Sequence, residues 1–323
     1  MLDVIFFEVF AEEEKFLKKY LPPYVKAEFT GKTIQEARPS QLAVPLVSIR
    51  TQSLIPSAWS KKLKGILTRS SGYDHLLYFQ RENQKDIACG YLMDYGSRAV
   101  AEHAVLTAGM LLRKMKAQLR HFGRFQRDGL TGAELANKNC LVVGVGHIGR
   151  QIVDIVRGLK MQVKGVDIKH SQKDLEYVAL SEGIRWAEIV ICAVPLTKET
   201  AGLLNYDILK QLKSGSMVVN ISRCEITPLR DLERLLEEKI LGGIGLDVYE
   251  EEGKLAAALR AQKKPAADYA QSVVRLSKKD NVIFTPHNAF NTYESVDRKA
   301  RESAAAVVTF LKEGKFPNPV PLE

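Results

Sequence analysis

The sequence contains few cysteines, no long apolar run and no basic leader. Its four cysteines are far apart and form no CxxC pair, so we expect a reducing cytoplasm and no bound metal rather than a disulfide framework or a zinc site. They are Cys89, Cys140, Cys192 and Cys224. No apolar run reaches the ~18 residues that a membrane-spanning helix needs. The opening segment carries Asp3 and Glu8, which predicts a first strand rather than a signal peptide.

Nucleic-acid binding is disfavoured even though the formal charge is +9, because 47 basic and 38 acidic residues are interspersed. No basic run is longer than a Lys-Lys pair, and no basic stretch is interleaved with aromatic residues. A surface of this kind attracts small anions. The length of 323 residues favours two domains, and the 46% of apolar residues is enough for sizeable cores.

Strands alternate with helices along the chain. Residues 3–10 predict a strand, and the helix after it ends at Pro22-Pro23. Residues 45–50 and 64–72 predict two further short strands, the second ending in a Ser/Gly loop. A long helix is predicted over 99–120 and a last one over 293–312. The strands between these helices are near-continuously apolar, and they read CLVVGVG, VKGVDI, EIVICAVP, SMVVNIS, GGIGLDVY and NVIFTPH. Such strands predict an α/β fold with a doubly wound parallel sheet covered on both faces.

A glycine motif follows the first of these apolar strands and opens a helix. Gly144 permits a tight turn, Gly146 lets a pyrophosphate approach the backbone, and Gly149 lets helix and strand pack closely. The helix N-terminus then offers N–H groups to the phosphates. This arrangement predicts a Rossmann-type dinucleotide site.

The next strand ends in Asp167, where a carboxylate would accept hydrogen bonds from ribose hydroxyls. A carboxylate there would also repel a 2′-phosphate, which favours NAD. Lys169 and His170 follow closely and leave binding of NADP open.

Three chemically capable side chains follow later strands, namely Arg223, Glu252 and His287. Ligands of parallel sheets bind beyond the carboxyl ends of the strands. A guanidinium grips a carboxylate, a histidine exchanges a proton with a reacting oxygen, and a carboxylate stabilises an imidazolium. The set suits interconversion of a 2-oxo and a 2-hydroxy acid. Glu252 lies in an acidic run that by itself would indicate a solvated turn.

These segments together resemble the D-isomer-specific 2-hydroxyacid dehydrogenase family. The resemblance runs in order from Gly65 to Thr292. It rests on LTRSSGYDH, YGSRAVAEHAV, VGVGHIGRQIV, VPLTKETAGLLN, NISRCEI, LDVYEEE and TPHNAF.

The resemblance implies a role for individual residues. The catalytic arginine, glutamate and histidine of the family correspond to Arg223, Glu252 and His287. Backbone N–H groups of Ser71 and Gly72 would bind the substrate carboxylate. The remaining cofactor contacts that it implies are His147, Ile148, Val194, Pro195, Thr200, Ile221, Ser222 and Asp247, the last facing the nicotinamide carboxamide.

The resemblance also implies the architecture. A split, flavodoxin-like substrate domain would comprise residues 1–98 and 290–323, and an NAD-binding Rossmann domain residues 99–289. The family's cleft closes over its substrate, a small anionic 2-oxo or 2-hydroxy acid. Its members usually form homodimers through the cofactor domain, and we expect the same here.

Within the family, the chain is similar to the D-lactate dehydrogenase branch. Tyr95 and Phe290 match aromatic residues that face a small substrate there, although both would also suit a core. The long segment between Glu252 and His287 is typical of that branch. Cys224 stands where the family usually has glycine, and Gly253 stands where proline is usual.

Two alternatives remain open from the residues and the resemblance. One is reduction of glyoxylate, hydroxypyruvate or a bulkier 2-oxo acid on the same scaffold. The other is a binding protein, because the C-terminal-binding corepressors of this family use the fold with NAD to gather partners.

Overall fold

The computed structural model describes residues 2–38, 44–83 and 87–321. The chain divides into two compact units, one made of Met1–Gly96 with Asn291–Glu323 and the other of Ser97–Phe290. Each unit contains a parallel sheet with helices between its strands. The substrate-binding role predicted for residues 1–98 with 290–323 and the cofactor-binding role predicted for residues 99–289 stay predictions.

The strands of the two sheets follow one another along the chain. Those described in the first unit are β1 (Val4–Phe6), β2 (Ala27–Phe29), β3 (Leu46–Ile49), β4 (Gly65–Thr68) and β5 (Ala88–Gly90). Those described in the second unit are β6 (Asn139–Val143), β7 (Gln162–Val166), β8 (Ile189–Cys192), β9 (Ser216–Asn220), β10 (Leu241–Leu246) and β11 (Val282–Phe284). The strand orders are β2-β1-β3-β4-β5 and β11-β10-β9-β8-β6-β7.

Helices cover the sheets. In chain order they are α1 (Ala11–Tyr20), α2 (Ile34–Ala37), α3 (Asp74–Asn83), α4 (Ser97–Leu112), α5 (Met115–His121), α6 (His147–Gly158), α7 (Leu180–Trp186), α8 (Tyr206–Leu209), α9 (Leu229–Glu237), α10 (Glu252–Arg260), α11 (Asp268–Leu276) and α12 (Tyr293–Glu313). Helix α12 begins at a cap, because the Thr292 side chain accepts a hydrogen bond from the Ser295 N–H. It ends at Gly314, whose φ of 71° lies in the left-handed region that glycine adopts most easily.

The single helix predicted over 99–120 is wrong in one respect. The chain forms α4 and α5, separated by Lys114 with a φ of 49°. The Leu112 carbonyl accepts a hydrogen bond of 3.0 Å from the Ala133 N–H, and a Cβ on Gly132 would lie 2.5 Å from that carbonyl. A distant loop therefore packs against the end of α4, and no local signal in the helix could have shown it.

The second sheet is buried on both faces, as its apolar strands predicted. Along β6, Leu141 and Val143 belong to one apolar cluster, and Cys140 and Val142 belong to the other. All five recorded pairings between neighbouring strands of this sheet are parallel. The prediction of a doubly wound α/β fold is therefore confirmed. None of the helices that the structure describes has the length and apolar content to cross a bilayer.

Candidate active site

The sheet order brings the ends of three neighbouring strands together. Arg223 follows β9, Glu252 follows β10 at the start of α10, and His287 follows β11. Strand β10 lies between β9 and β11 and is parallel to both. The three side chains predicted to be catalytic therefore emerge from the same edge of one sheet, where parallel α/β folds bind their ligands.

Glu252 and His287 are in direct contact. His287 Nδ1 lies 2.6 Å from Glu252 Oε2, and the side chains are 21% and 17% exposed. A carboxylate at this position accepts the Nδ1–H bond, fixes the ring orientation and stabilises the imidazolium. Glu252 is therefore the hydrogen-bond partner of His287 and not only part of a solvated acidic turn.

The backbone at His287 is strained. Its φ of 51° lies in the left-handed region that residues with a side chain rarely adopt. Such conformations persist where the surrounding structure holds them, often at functional sites. Asp247, which is 2% exposed, holds this loop by accepting hydrogen bonds from Thr285 Oγ1, at 2.5 Å, and from the N–H groups of Asn288 and Ala289, both at 2.8 Å.

Asp247 therefore anchors the segment that carries the histidine. Its predicted contact with the nicotinamide carboxamide stays a prediction. The anchoring function was not predicted from the sequence, because the donors lie about forty residues further along the chain.

A buried asparagine shapes the turn that presents Arg223. Asn220 Nδ2 donates to the Arg223 carbonyl and to Thr227 Oγ1, both at 2.7 Å, and Asn220 Oδ1 accepts from the Ser222 N–H at 2.8 Å. Asn220 is fully buried, so these bonds also satisfy its own polar groups. Sequence reasoning missed this residue. The available signal was a polar residue at the end of an apolar strand.

Cys224, next to the arginine, is not a reactive thiol. Its Sγ donates to Glu225 Oε2 at 3.1 Å. Burial, reinforced by the carboxylates of Glu225 and Glu250, raises the pKa of the Cys224 thiol well above its ordinary value. The thiol is therefore protonated at neutral pH, and thiolates are the reactive form of cysteine.

The glycine motif has the geometry that a dinucleotide site requires. Gly144 has a φ of 93°, and a Cβ on Gly149 would lie 1.9 Å from the Gly144 carbonyl oxygen. By contrast, a Cβ on Gly146 would meet nothing within 4 Å. Helix α6 begins at His147, and Ile148 is the next residue, so the first N–H groups of the helix face the turn. These residues fit the pyrophosphate of a dinucleotide.

The loops after β6 and β8 meet at the point where the strand order reverses. A Cβ on Gly144 would lie 2.7 Å from the backbone of Ala193. Beyond Val194, Thr200 Oγ1 donates to the Pro195 carbonyl at 2.7 Å and closes the loop. Crevices at such reversals are the dinucleotide sites of doubly wound sheets.

The end of β9 is tied to the end of β8. Ser222 Oγ donates to the Cys192 carbonyl at 3.0 Å, and Ile221 is buried beside it. Ile221 and Ser222, both predicted to contact the cofactor, therefore lie at the same edge of the sheet as the glycine loop.

Asp167 follows β7 and is half-buried. Its carboxylate accepts hydrogen bonds from the Val145 N–H at 2.6 Å and from the Lys169 N–H at 2.8 Å. It is thus held beside the glycine loop, and its bond to ribose stays a prediction. Lys169 and His170 are exposed, and the His170 ring stacks on Tyr177 at 4.3 Å.

The residues predicted to contact the substrate are distributed over both units. Ser71, Gly72 and Tyr95 belong to the first, and Phe290 ends the second. Ser71 is exposed and Gly72 half-buried, whereas Tyr95 and Phe290 are each 6% exposed. Their contact with the substrate stays a prediction. In the part of the chain that the structure describes, no group of His, Cys, Asp and Glu side chains could hold a metal.

Comparison with known proteins decides the family. The family model described as D-isomer specific 2-hydroxyacid dehydrogenase, NAD binding domain, matches residues 103–289. A D-lactate dehydrogenase of Streptococcus agalactiae serotype V is 30% identical over 259 residues, 78% of this chain and 77% of that protein. The chain belongs to the D-isomer-specific 2-hydroxyacid dehydrogenase family.

Two further similarities are informative. The structure of D-lactate dehydrogenase from Aquifex aeolicus, complexed with NAD and lactic acid, has a TM-score of 0.85 and 26% identity, with 99% of each chain covered. A glyoxylate reductase of Pyrococcus furiosus is 29% identical over 272 residues, 79% of this chain and 75% of that protein.

The membership confirms several predictions. The chain is an NAD-dependent D-2-hydroxyacid dehydrogenase, and it is similar to D-lactate dehydrogenases. It is therefore an enzyme that interconverts 2-oxo and D-2-hydroxy acids with NAD.

Proposed function

We propose that this dehydrogenase reduces a small, pyruvate-like 2-oxo acid to its D-2-hydroxy acid. Arg223 binds the carboxylate of the substrate, His287 exchanges the proton, and Glu252 holds His287. The observation that carries these roles is the contact of 2.6 Å between His287 Nδ1 and Glu252 Oε2 at the edge where Arg223 also emerges.

The proton moves through the other ring nitrogen of His287. Glu252 engages Nδ1, so Nε2 of the imidazolium donates its proton to the carbonyl oxygen as that oxygen becomes a hydroxyl. When bound at the glycine loop, NADH would supply the hydride to the carbonyl carbon. In the oxidative direction neutral His287 takes the proton back, and Glu252 stabilises the imidazolium that forms.

Arg223 gives the site its requirement for a carboxylate. A planar guanidinium binds a carboxylate through two parallel N–H bonds and so fixes the plane of the 2-oxo acid. We propose that the N–H groups of Ser71 and Gly72 bind the same carboxylate and that Tyr95 and Phe290 border its side chain. Bulky aromatic walls favour a short apolar side chain over a phosphorylated one.

The test is a substrate panel followed by NADH absorbance. We expect the highest kcat/KM with pyruvate among pyruvate, glyoxylate, hydroxypyruvate and branched 2-oxo acids, and chiral chromatography should identify the product as the D isomer. A mainly L product would contradict the proposed geometry. A clear preference for glyoxylate would favour the second candidate, which the similarity to the Pyrococcus furiosus glyoxylate reductase supports.

We further propose a homodimer formed through the second unit. Four large apolar side chains in α4, α5 and the turn that follows are strongly exposed, and they are Leu106 (63%), Leu119 (69%), Phe122 (75%) and Phe125 (74%). Exposed apolar residues of this size, gathered in one part of a chain, are typical of protein interfaces.

We also propose a cytoplasmic location. All four cysteines are free, and three of them are buried. Free cysteines are typical of proteins that stay in a reducing compartment. Fractionation of cells that produce the protein would test this, and recovery in a secreted fraction would contradict it.

A further inference from the structure

Three charged side chains are fully buried in the core of the first unit. Glu13 lies in α1, Arg69 follows β4, and Lys299 lies in α12, each at 0% exposure. Glu13 Oε1 is 2.9 Å from Arg69 Nε and 2.7 Å from Lys299 Nζ. Two positive charges therefore share one carboxylate. Burying an ion is costly, and a hydrophobic replacement is often at least as stable, so the surplus cation calls for an explanation.

Arg69 connects this triad to the turn that is proposed to bind the substrate carboxylate. Its Nη1 donates to Ser48 Oγ at 3.1 Å, and its Nη2 donates to the Phe7 carbonyl at 2.6 Å. The next residue, Ser70, closes the turn by donating from Oγ to the Gly72 carbonyl at 2.7 Å. The guanidinium thus anchors the start of the Ser70–Gly72 turn in the core.

Lys299 connects the triad to Tyr95. Its Nζ lies 5.9 Å from the centroid of the Tyr95 ring and 5.3 Å from that of Phe10, within reach of a cation–π attraction. The preceding residue, Arg298, donates from Nε to the Tyr95 carbonyl at 2.9 Å. Two consecutive residues of α12 therefore hold Tyr95, one at its ring and one at its backbone.

We propose, resting on the proposed function, that Lys299 is a positioning residue for the 2-oxo acid. Through Glu13 and Arg69 it steadies the Ser70–Gly72 turn, and through its charge it holds the Tyr95 ring. The same buried positive charge adds to the attraction of the first unit for a carboxylate. The surplus cation is thus retained for substrate binding, at a cost in stability.

The charge on Lys299 changes near neutral pH. Burial lowers the pKa of Lys299 to about 7, against the opposing attraction of Glu13 and with added repulsion from Arg50 and Arg69. Burial by itself would raise the pKa of Glu13, but Arg69 and Lys299 outweigh it and hold that pKa at about 2. Glu13 is therefore anionic throughout the working range, and only the lysine titrates. Its contribution to substrate binding is present below pH 7 and is lost above it.

The test compares Lys299→Met with wild type, using the best substrate of the panel. Methionine keeps the length of the side chain and leaves Glu13 paired with Arg69. We expect the ratio of KM values, variant to wild type, to be on the order of five- to tenfold at pH 6 and to fall toward one at pH 8.5. The kcat and the Kd for NADH should stay close to wild type. Arg301→Met removes an exposed positive charge from the same helix and should leave KM unchanged at both pH values.

A purely structural role for Lys299 predicts something different. It would lower the Tm of Lys299→Met while leaving KM unchanged, or raise KM by the same factor at every pH, and either result would overturn the proposal. A wild-type enzyme that reduces no 2-oxo acid would contradict the proposed function and this inference together. An active wild type with a KM ratio of one at pH 6 would contradict this inference alone.

A second measurement applies even if Lys299→Met does not fold. His287→Gln removes the catalytic imidazole, and quenching of bound NADH fluorescence in this variant reports the Kd of the oxo acid. That Kd should rise several-fold between pH 6 and pH 8.5, with a midpoint near pH 7. A Kd that is independent of pH over this range would overturn the proposal.

Discussion

The Nδ1 atom of His287 lies 2.6 Å from Glu252 Oε2, although 35 positions separate the two residues in the chain. The contact forms because the parallel strands β10 and β11 pair with each other, so that the residues after them reach the same edge. Of the three consecutive glutamates in the acidic run, Glu252 is therefore the one that contacts His287. The assignment of catalytic roles rests on this contact.

Replacing Glu252 by glutamine should cut kcat for reduction about 10- to 100-fold, because the imidazolium loses its anionic partner. Glu250→Gln, which changes an exposed member of the same acidic run, should leave kcat unchanged. Steady-state kinetics of both variants test this prediction. Equal changes in kcat for the two variants would show that Glu252 has no specific role in catalysis.

Arg223→Lys should lower kcat/KM for the oxo acid by about two orders of magnitude, because a single ammonium cannot reproduce two parallel N–H bonds to a carboxylate. The Kd for NADH, measured by fluorescence titration, should change little. Arg230→Lys is the matched control, since the Arg230 side chain is 92% exposed. If Arg223→Lys retains wild-type kcat/KM, another residue binds the carboxylate.

Wild type should have a higher kcat/KM with NADH than with NADPH, because the Asp167 carboxylate would repel a 2′-phosphate. Asp167→Asn removes that charge at nearly constant shape, so the NADPH-to-NADH ratio of kcat/KM should rise about tenfold. The exposed Asp154, changed to asparagine, should leave this ratio unaltered. Better activity of wild type with NADPH would instead implicate Lys169 and His170 in binding the phosphate.

The buried triad should make stability depend on pH in two windows. The pKa of Glu13 is lowered to about 2, so its contribution to the free energy of unfolding is complete above pH 4.5. That contribution is lost as the pH falls toward 2. The pKa of Lys299 is lowered to about 7, so the unfolded chain binds the extra proton between pH 7 and 10.5 and stability rises across that range. Urea midpoints measured from pH 6 to pH 9 should therefore increase for wild type and stay flat for Lys299→Met. A wild-type midpoint that falls over this range would contradict the buried charged lysine.

The double change Phe122→Asp with Phe125→Asp should shift the protein from dimer to monomer, because two charges would enter an apolar contact. Light scattering after size-exclusion chromatography gives the mass directly. Leu54→Asp is the control, since Leu54 is 71% exposed but lies in the first unit. A wild-type protein that is monomeric at micromolar concentration would contradict the proposed dimer.

The sequence predicted the second sheet well and the first sheet incompletely. Strands β6 to β11 were recognisable because strands buried on both faces are almost continuously apolar. Strands β2 and β5 were missed, because their segments AEF and ACG form no apolar run and are defined only by pairing with β1 or β4. The break between α4 and α5 was missed for a similar reason, since the loop around Gly132 ends α4.

By itself, the sequence determined the kind of the elements that carry the site and the chemical groups at the ends of their strands. The glycine motif, Asp167, Arg223 and His287 were all evident from short segments, because turns, helix starts and apolar strands depend on neighbouring residues. Only the tertiary structure decided which distant groups meet. Glu252 with His287, Asp247 with the loop after β11, and Glu13 with Arg69 and Lys299 are contacts between remote parts of the chain. Such contacts depend on strand order and helix packing, which bring side chains together through the summed burial of many apolar residues and leave no trace in the local sequence.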